Sequence, residues 1–216
     1  MADLTYQPKA YRKDGGDTSV IASGGVLDIE SGGAFKLAGT AISATAAELN
    51  AACDLSAQKM TCASGFKGTG TICESSVVKQ GGIIKTEILI DLTDAKSMTT
   101  DLDIIGHTGV SYIGQITEAL NGTLLFGQVT CLETPATGVT TIDFYSATED
   151  TGAFDAGVSS LDEVVMLTGS AWTAAVTHVM FTNLPAANKY MYLASGAAGT
   201  TGTYSAGRFL LEFWGV

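Results

Sequence analysis

His107 and His178 are the chain's two histidines. A His pair can trade protons or hold a metal, but the residues need a shared spacing such as H-x-x-x-H or H-E-x-x-H, and these two stand in separate strand contexts. Ser56-Ala57-Gln58-Lys59 has the form S-x-x-K of an acylating serine, yet the partner motifs S-D-N and K-T-G are missing, so chance accounts for it. "GFKGTGTIC", residues 65–73, is glycine-rich but lacks the G-K-[ST] ending that would seat a phosphate. Asp101 and Asp103, with Asp91 and Asp94 nearby, could attract a divalent ion; spaced as they are, they read as turn-forming aspartates, and a calcium loop would be a denser run ending in Glu. The dipeptides Glu149-Asp150 and Asp162-Glu163 read as solvated loop charge rather than as a glycosidase pair. Trp172, Trp214, Tyr190, Tyr192 and Tyr204 could line a sugar platform, but aromatics on alternating strands more usually fill a core or an interface. No catalytic residue, metal site or cofactor is predicted.

Composition narrows the alternatives. The 216 residues include 26 glycines and only 3 prolines, with 46% hydrophobic and 15% charged residues. This is a β-rich profile with enough apolar mass for a core, and not that of a helical bundle. The net charge of −11 argues against nucleic acid as a partner, because phosphate contacts need clustered Lys and Arg. Charge is uneven, however: Lys9, Arg12 and Lys13 outweigh Asp3 at the start, a short basic arm on an acidic body suited to an acidic neighbour. No apolar leader opens the chain and no apolar run reaches membrane-spanning length, so a soluble protein made in a cytoplasm, with no membrane partner, is expected. The four cysteines, Cys53, Cys62, Cys73 and Cys131, are irregularly spaced. Cys62 and Cys73 could meet across the glycine-rich loop, and a reduced pair is expected in a cytoplasm.

These side chains must be placed by four segments. Residues 1–14 form the polar arm. Residues 15–44 repeat a glycine-punctuated unit, "GGDTSVIAS", "GGVLDIES", "GGAFKLAG", followed by a looser "TAISATA". Thr18/Val20, Leu27/Ile29 and Phe35/Leu37 alternate against Ser19, Asp28 and Lys36, so each unit is predicted to be a strand of about four to six residues closed by a Gly-Gly turn. Three such units have too few layers to bury their own apolar side chains; sharing a core with other copies around an axis is favoured over lying against the larger domain. Val20, Leu27, Ile29, Phe35, Leu37 and Ile42 are the predicted oligomer interface. In residues 45–80, Thr45-Ala46-Ala47-Glu48 is a capping box that predicts a small helix through about Cys53. A Gly/Ser/Thr-rich loop or hairpin is expected over 61–80. Residues 81–216 carry "IIKTEILIDL", "GTLLFGQVTCLE", "TTIDFYSA", "DEVVMLTG", "AAVTHVMFTNL", "KYMYLAS" and "GRFLLEFWGV", short strands between turn residues. They predict a β-sandwich, jelly-roll-like in plan, with Phe209, Leu211 and Phe213 on one face.

The stretch "IASGGVLDIESGGAFKLAGTAISATAAELN" resembles the start of structural proteins of tailed bacteriophages, among them capsid decoration (cement) and head-fibre proteins. "ILIDLTDAKS", "NGTLLFGQVTCLETP" and "LPAANKYMYLASGAA" resemble the β-sandwich part of such proteins, so the likeness spans nearly the whole chain. It implies a virion structural protein that is not an enzyme: a homotrimer on the outer surface of the capsid, bound to the major capsid protein and stabilising the head. The basic arm, with Tyr6, Lys9, Tyr11, Arg12 and Lys13, would then lie on the shell, and the Gly-Gly repeat would form a trimeric β-layer. The alternative within the same resemblance is a head or tail fibre protein that recognises a host surface glycan.

Overall fold

The structure is a computed structural model; it describes residues 10–12, 19–29, 33–42, 58–169, 171–174, 178–198 and 201–216. The chain divides into two compact units, Met1–Cys53 and Asp54–Val216. It is mainly β, with antiparallel sheets.

Among its described residues the first unit holds four very short strands. β1 (Ala10–Arg12) pairs with β2 (Ser19–Ile21), and β3 (Lys36–Leu37) pairs with β4 (Thr40–Ala41). The repeat is therefore not the predicted row of equal strands. Val26–Ile29 is irregular, and the third unit is a tight hairpin. At this hairpin Ala38 and Gly39 have φ of 48° and 84°, the two left-handed positions that let strands reverse over two residues. With so few ladder bonds, neither pairing approaches the three-stranded minimum for a stable sheet.

The second unit contains β5 (Ile72–Gln80), β6 (Ile83–Asp91), β7 (Lys96–Ser97), β8 (Gly114–Gln115), β9 (Leu124–Ala136), β10 (Ile142–Ala147), β11 (Glu163–Leu167), β12 (Val179–Met180), β13 (Tyr190–Ser195), β14 (Gly202–Thr203) and β15 (Ala206–Gly215). One sheet has the order β12-β9-β15-β6-β5 and the other β11-β10-β13-β8. The pairings are nested: β10 with β11, β9 with β12, β8 with β13, β7 with β14, β6 with β15. From β6 onward the chain is thus one long antiparallel hairpin folded over on itself, and β5 adds an edge to it through a two-residue turn at Gly81 and Gly82 (φ 60° and 85°).

The period-2 pattern explains the core. Ile88 and Ile90 of β6, Val129 and Cys131 of β9, and Phe209, Leu211 and Phe213 of β15 face inward, and all are buried. From the opposite sheet come Ile142, Phe144, Met191 and Leu193. Phe144 meets Trp172, Phe181 and Phe209 edge-on at 5.8–5.9 Å. The four-stranded sheet is buried on its other face too: Tyr145, Ala147, Tyr192 and Ala194 pack with Ile104, Val158 and Leu161 of the covering loops.

Of the loop or hairpin expected over 61–80, residues 72–80 form the first arm of a hairpin, the edge strand β5, whose outward residues are polar enough to hide the pattern. The described helix is Glu118–Asn121 (α1), capped by the Thr117 hydroxyl, which accepts the Leu120 N–H. The capping box at Thr45 and its predicted helix lie outside the described residues.

Candidate self-association interface

The first unit presents apolar side chains without covering them. Ser23-Gly24-Gly25 makes the turn that its glycines predicted: the Gly25 N–H donates to Ala22 O at 2.8 Å with Gly24 at φ 73°. Beyond it Val26 is 81% and Leu27 63% exposed, while Ile21, Ile29, Phe35 and Ile42 are 40–48% exposed. Val20 is half-buried. Isolated exposed apolar residues are ordinary; six large ones within residues 21–42 are a patch.

Magnitudes show what such a patch can do. Full burial contributes about 1.5–3 kcal/mol per side chain, so six provide on the order of 10 kcal/mol. Association opposes this with roughly 4–15 kcal/mol of lost freedom and ordering. A single pairwise contact is therefore marginal, whereas a core closed among several copies buries each side chain from more than one direction.

Of the predicted interface residues, Leu27, Ile29, Phe35 and Ile42 are exposed. Leu37 lies in β3, and its side chain is outside the described residues. Ile21 and Val26 join the patch unpredicted. Ile21 follows Val20 in β2, and Val26 is exposed because the irregular backbone there abandons alternation. Of the predicted docking arm, Tyr6, Lys9 and Lys13 lie outside the described residues. Tyr11 and Arg12 are placed by backbone only, in register with Val20 and Ser19.

The sandwich's outer sheet face carries charge that is already paired. The Arg208 guanidinium donates to Asp91 Oδ2 at 2.5 and 3.1 Å. Burial opposes ionisation of Asp91, but bonds from Thr93 and Arg208 outweigh it and hold the carboxyl below its usual range. Burial likewise opposes ionisation of Glu212, and Lys85 (2.9 Å) and Gln128 (2.7 Å) overcome it. Trp214 stacks on Phe126 at 4.4 Å, and Lys85 Nζ sits 5.4 Å from its ring.

Among the described residues, those that might have done chemistry are not brought together, and Ser56 lies outside them. His107 is half-buried; His178 is exposed and bonds Thr130. Two N–H groups of the glycine-rich loop are taken: Gly68 donates to Thr71 Oγ1 and Gly70 to Asp94 Oδ2, both at 2.8 Å. Asp162 accepts from Thr148 and faces Lys189. Asp143 is buried, which raises its carboxyl, although the Gly169 N–H donates to it at 2.6 Å. Trp172, Tyr192 and Tyr204 are core residues, with Tyr192 pushed up to about 12 by burial. Among the described residues no group of three or more His, Cys, Asp or Glu could hold a metal, and no helix is long and apolar enough to cross a membrane.

Compared with models of protein families, with curated proteins and with solved structures, the chain matches none.

Proposed function

We propose that the chain is a virion structural protein: a non-enzymatic decoration or cement protein that binds the outer capsid surface as a homotrimer and stabilises the head. The observation that carries this reading is the uncovered apolar patch of residues 21–42, on a unit whose strands are too short to stand alone. The patch supports completion of a core by sister chains, and the bacteriophage resemblance of the same residues supports three copies on a capsid. The nested strand order of the second unit supports a jelly-roll plan, one used by viral capsid and lectin domains. A fold alone selects no function, so the weight rests on the patch.

In this reading three first units share Leu27, Ile29 and Phe35 around an axis. The basic arm meets the major capsid protein, and each trimer spans a joint between capsomers. Many such contacts act together, so modest affinity per arm becomes strong attachment and resists pressure from packaged DNA. The fibre alternative needs an exposed aromatic platform; Trp172 and Tyr204, two residues it would use, are buried.

The test is co-sedimentation of the purified full chain with undecorated phage heads and, separately, with tails. Head binding at a fixed stoichiometry, weakened by deletion of residues 2–13, is expected. Binding to tails alone, or to neither, overturns the reading.

A further inference from the structure

We propose that Cys62 and Cys73 form an oxidation site that closes as a disulfide across the open side of the sandwich. Independently of the decoration reading, three observations converge on it. Residues 60–63 run along edge strand β5: Met60 N–H donates to Ser75 Oγ at 2.7 Å, and the Ser75 hydroxyl donates back to Met60 O at 3.2 Å. Two residues further along each segment, in the antiparallel sense, come Cys62 and Cys73. Their thiols donate to successive carbonyls of one neighbouring segment, Cys62 to Tyr112 and Cys73 to Ile113, each at 3.5 Å. Finally, the neighbouring Cys62 thiol, with burial second, holds the Cys73 thiol well above its ordinary range.

The placement has a structural consequence. β5 is the edge of the five-stranded sheet and β8 the edge of the four-stranded one. Residues 60–63 lie between them: Ala63 N–H donates to Tyr112 O at 2.9 Å, and Met60 packs against Gly114 of β8. A bond between Cys62 and Cys73 would pin this covering segment to β5 at the sandwich's unclosed flank.

The chemistry assigns each sulfur a role. Cys62 is half-exposed and Cys73 buried. With a small-molecule disulfide such as oxidised glutathione, the Cys62 thiolate attacks one sulfur and breaks the reagent's S–S bond, releasing one glutathione thiolate. The Cys73 thiolate then attacks the Cys62 sulfur of the mixed disulfide and releases the second glutathione. Two protein thiols are oxidised, one glutathione disulfide is reduced to two thiols, and the two protons end on the released glutathiones. A reducing cytoplasm keeps the pair as thiols; an oxidising medium closes it.

The experiment treats the reduced full chain with oxidised glutathione. Intact mass should fall by two hydrogens, and non-reducing peptide mapping should join Cys62 to Cys73 while Cys131 remains free. The closed loop should raise the sandwich's thermal midpoint by roughly 5–10 °C, reversibly with dithiothreitol, and Cys62→Ser should abolish both effects. Glutathione retained on Cys62, a link through Cys53, or a full complement of free thiols after treatment would each overturn the proposal.

Discussion

In the sandwich, Phe209, Leu211 and Phe213 are fully shut from solvent; in the first unit, Val26, Leu27 and Phe35 stand in it. Both regions use the same residue types and both are punctuated by glycine, so composition does not separate them. Layer count does. β15 lies between β9 and β6 and faces a second sheet, so each alternate side chain has apolar neighbours on every side. β2 and β3 each have one short partner, and among the described residues of the unit no strand is long enough to form a second layer. One region completes its interior within the chain; in the other the described large apolar side chains stay exposed, and the proposed function starts from that exposure.

This contrast can be broken or sharpened by substitution. The largest stability effect is expected in the sandwich: Phe209→Ala should cost about 3–5 kcal/mol in urea unfolding, with the folded fraction associating as before. A dissociated folded fraction would mean the two regions are not independent. Next is Asp91→Ala, which removes bonds from Thr93 and Arg208 and should cost about 1.5–3 kcal/mol at neutral pH. Asp91's folded pKa is depressed, so its contribution is present above the unfolded value and lost as pH falls through the folded one. The difference between variant and parent should therefore shrink in acid, as followed by denaturation at stepped pH.

A matched pair of smaller changes compares the regions directly. Gly82→Ala and Gly39→Ala each force a side chain into a left-handed turn, at about 1–2 kcal/mol. The first should lower the sandwich's melting temperature and leave association alone; the second should do the reverse. The smallest effect is expected from Asp143→Asn. Burial raises the Asp143 carboxyl, so whatever stability that group provides is lost as pH rises through the folded value. The amide should flatten that slope and change neutral-pH stability by under about 1 kcal/mol.

Much of this contrast was legible in the sequence. Alternation in "IIKTEILIDL" and "GRFLLEFWGV" placed the strands and the buried Phe209 face. β5 was not legible: Glu74, Ser75 and Ser76 give an edge strand the composition of a loop, and its pairing with β6 is a tertiary fact. Nor was the double burial of β10, because Asp143 and Ser146 look solvent-facing until the loops over the sheet are known. In the first unit the exposed residues Leu27, Ile29, Phe35 and Ile42 were readable from the repeat. Ile21 and Val26 were not, since uniform strands would have sent them to the other face. Three glycine-spaced copies imply regularity, but so few ladder bonds do not enforce it.

The most direct measurement is the solution mass of the full chain by sedimentation velocity, with and without Leu27→Asp/Phe35→Asp. A trimer that becomes a monomer in the double variant, with the sandwich's melting temperature unchanged, is the predicted result. A double variant that stays trimeric, or an unsubstituted chain that is monomeric at concentrations where the heads are decorated, would contradict a core shared among sister chains.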